Sequence, residues 1–291
     1  MIPARAIDLA PQSVRPSNPL GTATVVMSNR RIASLSRAER IWAVAAVHGE
    51  VEQLVCLHDA IWPRLEHGDR IVYLGNLIGW GKAIPATLDE LLDFRRAVMA
   101  RDGGFACDLT YLRGSQEVMW HKLLQLQFTP DPSGALSWML QRGVAATLES
   151  YGCDKDEGLR AARGGTVALT RWTGQVRQAM KRHAGHEELL GRLHSAADTG
   201  SGGVLFLNAG LDPKIPVDRQ GDLFWWHGVG FSQLDRPYAG YRRVVRGFDP
   251  RRRGGEELPH KITLDSGAGF GGPLTAACIT PDGDVVERLE V

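Results

Sequence analysis

Short apolar runs alternate with longer segments of helical periodicity, and this alternation limits the folds open to the first half of the chain. Residues 41–45, 70–74 and 105–112 have the composition of buried strands, and glycine follows the second and third of them closely. Residues 50–65 and 84–101 carry apolar side chains at helical spacing. Strands that alternate with helices in this way indicate an α/β layered architecture.

The second half of the chain starts with a mostly helical segment, residues 118–200, and then becomes rich in β structure. Strands are predicted at 203–207, 242–245 and 261–267, with a terminal hairpin of 274–280 and 284–291. Residues 1–40 contain four prolines and few large apolar side chains, which predicts a flexible or loosely docked extension. We therefore expect one domain over residues 41–291, with residues 118–200 as a helical insert.

The composition favours a soluble protein of the cytoplasm. Charged residues make up 23% of the chain, and a formal net charge of +1 gives no field that would attract nucleic acid or a membrane. The cysteines Cys56, Cys107, Cys153 and Cys278 have no C-x-x-C spacing, so neither a zinc site built on cysteine nor a disulfide scaffold is expected. No run approaches the roughly 20 apolar residues that cross a bilayer, and no signal-peptide pattern is present.

Five short segments follow predicted strands in the order of a known series of motifs. They are VAAVHG at 44–49, GNLIGWG at 75–81, GSQE at 114–117, LNAGL at 207–211 and VRGFDP at 245–250. In that order they resemble the G-D-x-H-G, G-D-x-x-D-R-G, G-N-H-E, H-A-G and G-H-T-P motifs of the calcineurin-like metallophosphoesterases. The resemblance is to the bacterial PPP-type serine/threonine phosphatases and the diadenosine-tetraphosphatase-like group, in a degenerate form.

Two stretches away from the metal-binding motifs carry the same resemblance. WMLQRG at 138–143 followed by TLESYG at 147–152 is similar to a W-x-x-x-x-G and T-L-x-S-Y-G pair, and ITLDSG at 262–267 is similar to I-N-L-D-T-G. The resemblance covers residues 40–291 and implies an α/β fold, α+β in detail. The implied architecture is a metallophosphoesterase-like two-sheet β-sandwich flanked by helices, with a helical insert.

The resemblance implies a site for two divalent metals, such as Mn or Fe/Zn, that together bind a phosphoryl group and activate a water. The six positions that align with the family's metal ligands are occupied by Ala46, His48, Asn76, Ser115, Asn208 and Phe248. Only His48 is retained from the family, and none of the six side chains is anionic. Because two neighbouring dications need anionic ligands, we expect no metal here and no cofactor.

The catalytic positions around the metals have also changed. Gly79 and Trp80 occupy the positions of the Asp-Arg pair in the second motif, and an indole cannot bind phosphate as arginine does. Gln116 replaces the histidine that protonates the leaving group, and an amide does not titrate near neutral pH. Glu117 alone matches the family motif. No catalytic residue is therefore expected.

Loss of the carboxylates leaves cationic or titratable side chains in or beside the motif loops, and they are candidates for binding an anion directly. These are His48, Lys82, Arg113 and Arg246. The sequence predicts a pseudophosphatase that binds a partner protein or a phosphorylated ligand. The alternative is an active metal-dependent phosphoesterase with substitute ligands, for which the candidates are Asp249, His227, Asp235 and Glu117. The basic run at 251–253 is interpreted as a solvated turn, so no nucleic-acid partner is expected.

Overall fold

The computed structural model describes residues 32–200, 202–226 and 228–291. The strands are β1 (Ile32–Ser34), β2 (Ile41–Val44), β3 (Arg70–Tyr73), β4 (Leu109–Tyr111), β5 (Ala196–Asp198), β6 (Val204–Leu207), β7 (Arg243–Arg246), β8 (Glu256–Leu258), β9 (Lys261–Thr263), β10 (Thr275–Ile279) and β11 (Val285–Glu290). The helices are α1 (Val51–Ile61), α2 (Ile84–Met99), α3 (Ser115–Leu123), α4 (Pro132–Met139), α5 (Ala145–Ser150), α6 (Lys155–Arg163), α7 (Thr166–Lys181), α8 (His186–Gly191), α9 (Leu223–Trp226) and α10 (Gly228–Ser232). Short 3₁₀ turns lie at Trp62–Arg64, Ala106–Asp108, Leu126–Phe128 and Val217–Arg219, and a π turn lies at Leu140–Val144.

The strands form two sheets, of five and of six strands. The first has the order β11-β10-β2-β3-β4, and its strands β2, β3 and β4 run parallel. The second has the order β1-β5-β6-β7-β9-β8, and its strands β6, β7 and β9 run parallel. All residues of β2 and β6 are buried, as expected for central strands with both faces covered.

The two sheets share one apolar core. It includes Val44 and Tyr73 from the first sheet, and Phe206 and Val245 from the second. Helices α1 and α2 pack on each other, and α1 also contacts β11 at the edge of the first sheet. Sheets joined through a common core and covered by helices confirm the predicted fold class. Among the described residues, no helix is both long enough and apolar enough to cross a membrane.

Helices α3 to α8 lie between β4 and β5, and we call them the insert. Within it α6 packs against α4 and α7, while α5 and α8 contact α2. The insert is thus attached to the sandwich through α2. Its π turn contains Gly143, whose φ of +104° is a conformation that side chains strongly disfavour.

The fold begins before the predicted boundary at residue 40. Strand β1 pairs in parallel with β5, and the Leu35 N–H donates to the Asp198 carbonyl at 2.6 Å. Arg40 also pairs with Asp69 at 2.8 Å. Residues 32–40 therefore belong to the domain rather than to an extension, because a strand distant in sequence supplies their hydrogen bonds. The remainder of the predicted extension, residues 1–31, lies outside the described residues.

Candidate functional site

The six positions that align with metal ligands all directly follow parallel strands. Ala46 and His48 follow β2, Asn76 follows β3, Ser115 follows β4, Asn208 follows β6 and Phe248 follows β7. In open parallel sheets the carboxyl ends of the strands form the crevice where ligands bind. The sequence motifs therefore meet at one place even though their chemistry has changed.

Hydrogen bonds link these positions across the two sheets. The His48 N–H donates to the Asn76 carbonyl at 2.7 Å. Asn208 donates through Nδ2 to the Leu74 carbonyl at 2.7 Å, and its own carbonyl accepts from the Phe248 N–H at 2.9 Å. The loops after β2, β3, β6 and β7 are thus joined into one cluster, which we call the motif cluster.

Glu117 is the one carboxylate that matches the family's motifs, and its two oxygens are already occupied. They accept from the backbone N–H groups of Asn76 at 3.0 Å, Leu77 at 2.7 Å, Ile78 at 3.2 Å and Gly114 at 2.8 Å. Burial raises the pKa of Glu117, and these hydrogen bonds oppose that rise. The side chain holds the loop after β3 in shape, so it offers neither a metal ligand nor a general base.

Asn76, at the position of the bridging aspartate, uses its carbonyl oxygen inside the cluster. Its Oδ1 accepts from Ser115 Oγ at 3.3 Å and from the Gln116 N–H at 3.1 Å. Its Nδ2 makes no hydrogen bond within the described part of the chain. An amide nitrogen cannot ligate a cation, so Asn76 presents the wrong atom to the site.

His48, the retained family residue, is buried and electrically neutral. Its ring lies edge-on to Phe248 and to Phe270, with both centroid distances 5.3 Å. Neither ring nitrogen makes a hydrogen bond of normal geometry to any described residue. Burial lowers the pKa of His48 to about 3, the Ile78 backbone opposes this shift, and the Arg252 cation adds to it. At neutral pH this imidazole is therefore uncharged.

The donor atoms of the motif cluster do not fit the family's pair of metals. Ala46 and Phe248 carry no donor atom, and the Asn76 oxygen is already hydrogen-bonded. At the six aligned positions, the atoms left without a partner among the described residues are both nitrogens of His48, Nδ2 of Asn76 and Oδ1 of Asn208, and none of these groups is anionic. Two dications in contact with a phosphoryl group need anionic ligands, and the aligned positions supply none.

Aromatic side chains and an arginine cover the motif cluster. The Trp80 and Phe270 rings lie 5.3 Å apart, and the Arg252 guanidinium carbon lies 3.6 Å from the Phe270 centroid and 5.7 Å from that of Trp80. Gln116 also contacts the π turn of the insert, because its Nε2 donates to the Arg142 carbonyl at 2.8 Å. Sequence reasoning did not single out Phe270, and it placed Arg252 in a basic run interpreted as a solvated turn, because neither residue belongs to a family motif.

Two of the four candidates for anion binding do not offer a free cation. His48 is neutral, and the Arg246 guanidinium pairs with Asp249 at 3.0 Å and donates to Thr263 Oγ1 at 2.9 Å. Burial lowers the pKa of Arg246 to about 10, although Asp249 opposes the shift. Lys82 is exposed and Arg113 is half-buried. Lys82, the candidate cation that is exposed to solvent, therefore lies directly after the second motif, outside the buried motif cluster.

The candidate substitute ligands are not assembled at the motif cluster. Asp249 accepts from Arg253 Nε at 2.8 Å and from the Arg251 N–H at 3.1 Å, in addition to its pair with Arg246. Asp235 is exposed. His227 lies outside the described residues, and Glu117 is fully hydrogen-bonded as described above.

A metal-capable group lies elsewhere, between α2 and the helical insert. Asp89 on α2, His183 after α7 and His186 at the start of α8 offer ligand atoms that all lie within 4.8 Å of one another. The prediction of a chain without a cofactor is therefore wrong, because these three residues form a candidate metal site. Sequence reasoning missed it; the only signal was the His-x-x-His spacing of residues 183 and 186.

No protein-family profile and no curated protein matches this chain. Solved structures that match include a protein assigned as a diadenosine tetraphosphatase, at 19% identity and a TM-score of 0.49, covering 90% of this chain and 98% of that one. A serine/threonine phosphatase from Saccharomyces cerevisiae matches at 11% identity and a TM-score of 0.47, covering 86% and 76%. A metallophosphoesterase from Sphaerobacter thermophilus matches at 14% identity and a TM-score of 0.39, covering 87% and 88%.

These matched structures carry the names of the family that the sequence motifs resemble. Their identities and TM-scores are too low to transfer an activity or a ligand to this chain. What the motif cluster can do follows from its own side chains.

Proposed function

We propose that this chain is a pseudophosphatase, a protein that keeps the phosphoesterase architecture without two-metal hydrolysis at the motif cluster. One observation carries the proposal: Glu117, the one carboxylate that matches the family's motifs, is used up by four backbone N–H groups. The polar side chains at the six positions aligned with metal ligands are neutral, and Gln116 cannot protonate a leaving group. A water between them has neither a metal nor a base to activate it.

The protein acts by binding a partner protein. A phosphorylated ligand is less well supported, since His48 is neutral and Arg246 is already paired with Asp249. Capture of binding partners from a lysate of the source cell, followed by elution with inorganic phosphate, distinguishes a protein partner from a phosphorylated ligand. A partner that stays bound in phosphate supports a protein contact, and a partner released by phosphate supports the phosphorylated ligand.

The first test is para-nitrophenyl phosphate hydrolysis by the purified protein with added manganese, beside an active phosphatase of the same superfamily. We expect no turnover above the rate without protein. Turnover that is lost in His48→Asn would contradict the proposal, because it would place hydrolysis at the motif cluster.

The second test restores the bridging carboxylate. Asn76→Asp places a second negative charge beside the buried Glu117, which already interacts with the neighbouring Arg113 cation. We expect a lower melting temperature, and no recovery of it when MnCl₂ is added. Recovery by manganese at stoichiometric amounts would mean that the cluster still binds metal. Asp235→Asn, a change at an exposed acid, is the control for an effect of charge alone.

The alternative function, a metal-dependent phosphoesterase with substitute ligands, is favoured by one observation, the group Asp89, His183 and His186. It predicts turnover with zinc or manganese that survives His48→Asn and disappears in Asp89→Asn. The same hydrolysis assay, run on both variants, distinguishes it from the pseudophosphatase.

A further inference from the structure

The connection between α7 and α8 lies directly on α2. Gly185, in this connection, has a φ of +85°, and a Cβ there would come within 2.9 Å of Leu92 Cδ1. The positive φ of Gly185 is a backbone conformation that residues with a side chain rarely adopt. The contact places His183 and His186, on either side of Gly185, next to Asp89, which precedes Leu92 by about one helical turn.

His186 is held from two sides. Its Nδ1 lies 2.8 Å from Tyr151 Oη, and its Nε2 lies 3.0 Å from Asp89 Oδ1. The side chain of His186 has no exposed area, whereas 55% of the Asp89 side chain is exposed. The His183 ring stacks on that of His186 with centroids 5.0 Å apart and planes 13° apart. A buried imidazole is thus aimed outward at a carboxylate, with a second imidazole beside it.

We propose that Asp89, His183 and His186 bind a zinc ion that joins α2 to the helical insert. Two imidazoles and one carboxylate are ligand types that zinc accepts, at distances of about 2.0–2.2 Å. Ligand atoms around a tetrahedral zinc lie roughly 3.3–3.6 Å apart, by the same bond lengths. The three ligand atoms already lie within 4.8 Å of one another, and the exposed Asp89 side chain can rotate to complete the approach.

Tyr151 orients His186 toward the ion. A phenolic hydroxyl can either donate or accept, so Tyr151 Oη can accept from Nδ1–H and leave the Nε2 lone pair for the metal. The Tyr151 ring is itself fixed, since it stacks on Trp120 at 5.7 Å and lies edge-on to His183 at 5.4 Å. Tyr151 is a positioning residue rather than a ligand.

The site has three protein ligands and one side toward solvent, so water completes the coordination. Its role is to clamp the insert to the sandwich, because Asp89 lies on α2 and both histidines lie in the insert. This inference is independent of the pseudophosphatase proposal, since it involves none of the residues of the motif cluster; the alternative function rests on the same three residues.

The test is calorimetric titration of the full chain, freed of metal with a chelator, with ZnCl₂. We expect one equivalent of zinc to bind and to raise the melting temperature, and Co²⁺ to give the visible absorption of a tetrahedral site. Asp89→Asn and His183→Gln should each weaken zinc binding at least tenfold. Tyr151→Phe should weaken it by about tenfold, as removal of an outer hydrogen-bond partner does.

His121→Gln removes an exposed histidine of α3 and is the matched control. It should leave zinc binding and the rise in melting temperature unchanged. Binding that is equal in Asp89→Asn, His183→Gln and the control would overturn the proposal, as would absence of stoichiometric binding to the wild-type chain. Circular dichroism on each variant establishes that the comparison is made between folded proteins.

Discussion

At the scale of single residues, hydrogen bonds explain why a glutamate is found at position 117, which belongs to a motif of the family. Four backbone N–H groups at the turn after β3 and the start of α3 point toward one place and need an acceptor there. A carboxylate is the side chain that offers enough lone pairs for all four. The residue is therefore required by the backbone even though its catalytic partner, a histidine in the family, is Gln116 here.

Replacing this acceptor should be costly. In Glu117→Gln, one carboxylate oxygen becomes an NH₂ group that faces the N–H donors, so two or more buried donors lose their partner. We expect the free energy of unfolding to fall by about 2–4 kcal/mol, measured by urea unfolding. Glu157→Gln, at an exposed position of α6, should change it by less than about 0.5 kcal/mol. Equal stability of the two variants would mean that Glu117 does not hold the loop.

At the scale of elements, the sequence predicts those helices and strands whose formation depends on interactions between neighbouring residues. Helices α1 and α2 lie within the predicted segments 50–65 and 84–101, because their apolar spacing is a property of neighbouring residues. The predicted strand 105–112 is only Leu109–Tyr111, since the Asp108 side chain accepts from the Phe105 N–H at 2.7 Å and closes a 3₁₀ turn first.

Elements that depend on distant partners were not predictable in the same way. Strand β1 lies in the predicted extension and exists because β5 pairs with it from the far side of the insert. The group of Asp89, His183 and His186 likewise depends on the contact between α2 and α8, and no motif in the sequence joins these residues. The motif cluster was predictable, since each of its positions is marked by a strand end and a family motif.

The π turn between α4 and α5 allows a prediction about how the insert contacts the motif cluster. In Gly143→Ala, the new Cβ would lie 3.0 Å from Gln116 Oε1 and 3.1 Å from Trp80 Cε2, at a φ of +104°. We expect a loss of about 1–3 kcal/mol in the free energy of unfolding. Gly174→Ala, in the middle of α7 with no atom near the new Cβ, should instead stabilise the chain slightly. Thermal unfolding of both variants checks the contrast in sign.

At the scale of the whole molecule, the positions aligned with metal ligands bury neutral polar groups rather than charged ones. Two sheets meet at the motif cluster, and aromatic rings with Arg252 cover it. A metal pair would make carboxylates favourable there; without it, the uncharged His48, Asn76 and Asn208 are the side chains that can be buried at low cost. Protonation of His48 is consequently unfavourable in the folded state, and this makes the free energy of unfolding depend on pH.

That link gives a signed prediction for His48. Burial lowers its pKa to about 3 in the folded chain, whereas an exposed histidine has a pKa of about 6.5. Between those values the unfolded chain binds a proton that the folded chain does not, so stability is greatest above pH 6.5 and falls as the pH decreases toward 3. The contribution of this one residue is about 1.4 kcal/mol per pH unit within that window. Urea unfolding at a series of pH values between 7 and 4 measures it.

His48→Asn isolates this contribution, because asparagine does not titrate and tolerates the positive φ of +55° at this position. The variant should be less stable at pH 7, since a smaller side chain leaves space beside Phe248 and Phe270. Its free energy of unfolding should nevertheless decrease less steeply than that of the wild type as the pH falls. Other buried histidines with lowered pKa, such as His58, are present in both proteins and do not affect the difference. Parallel curves would mean that His48 is protonated in the folded chain, and a cationic imidazole in the motif cluster would in turn restore it as a group able to bind an anion.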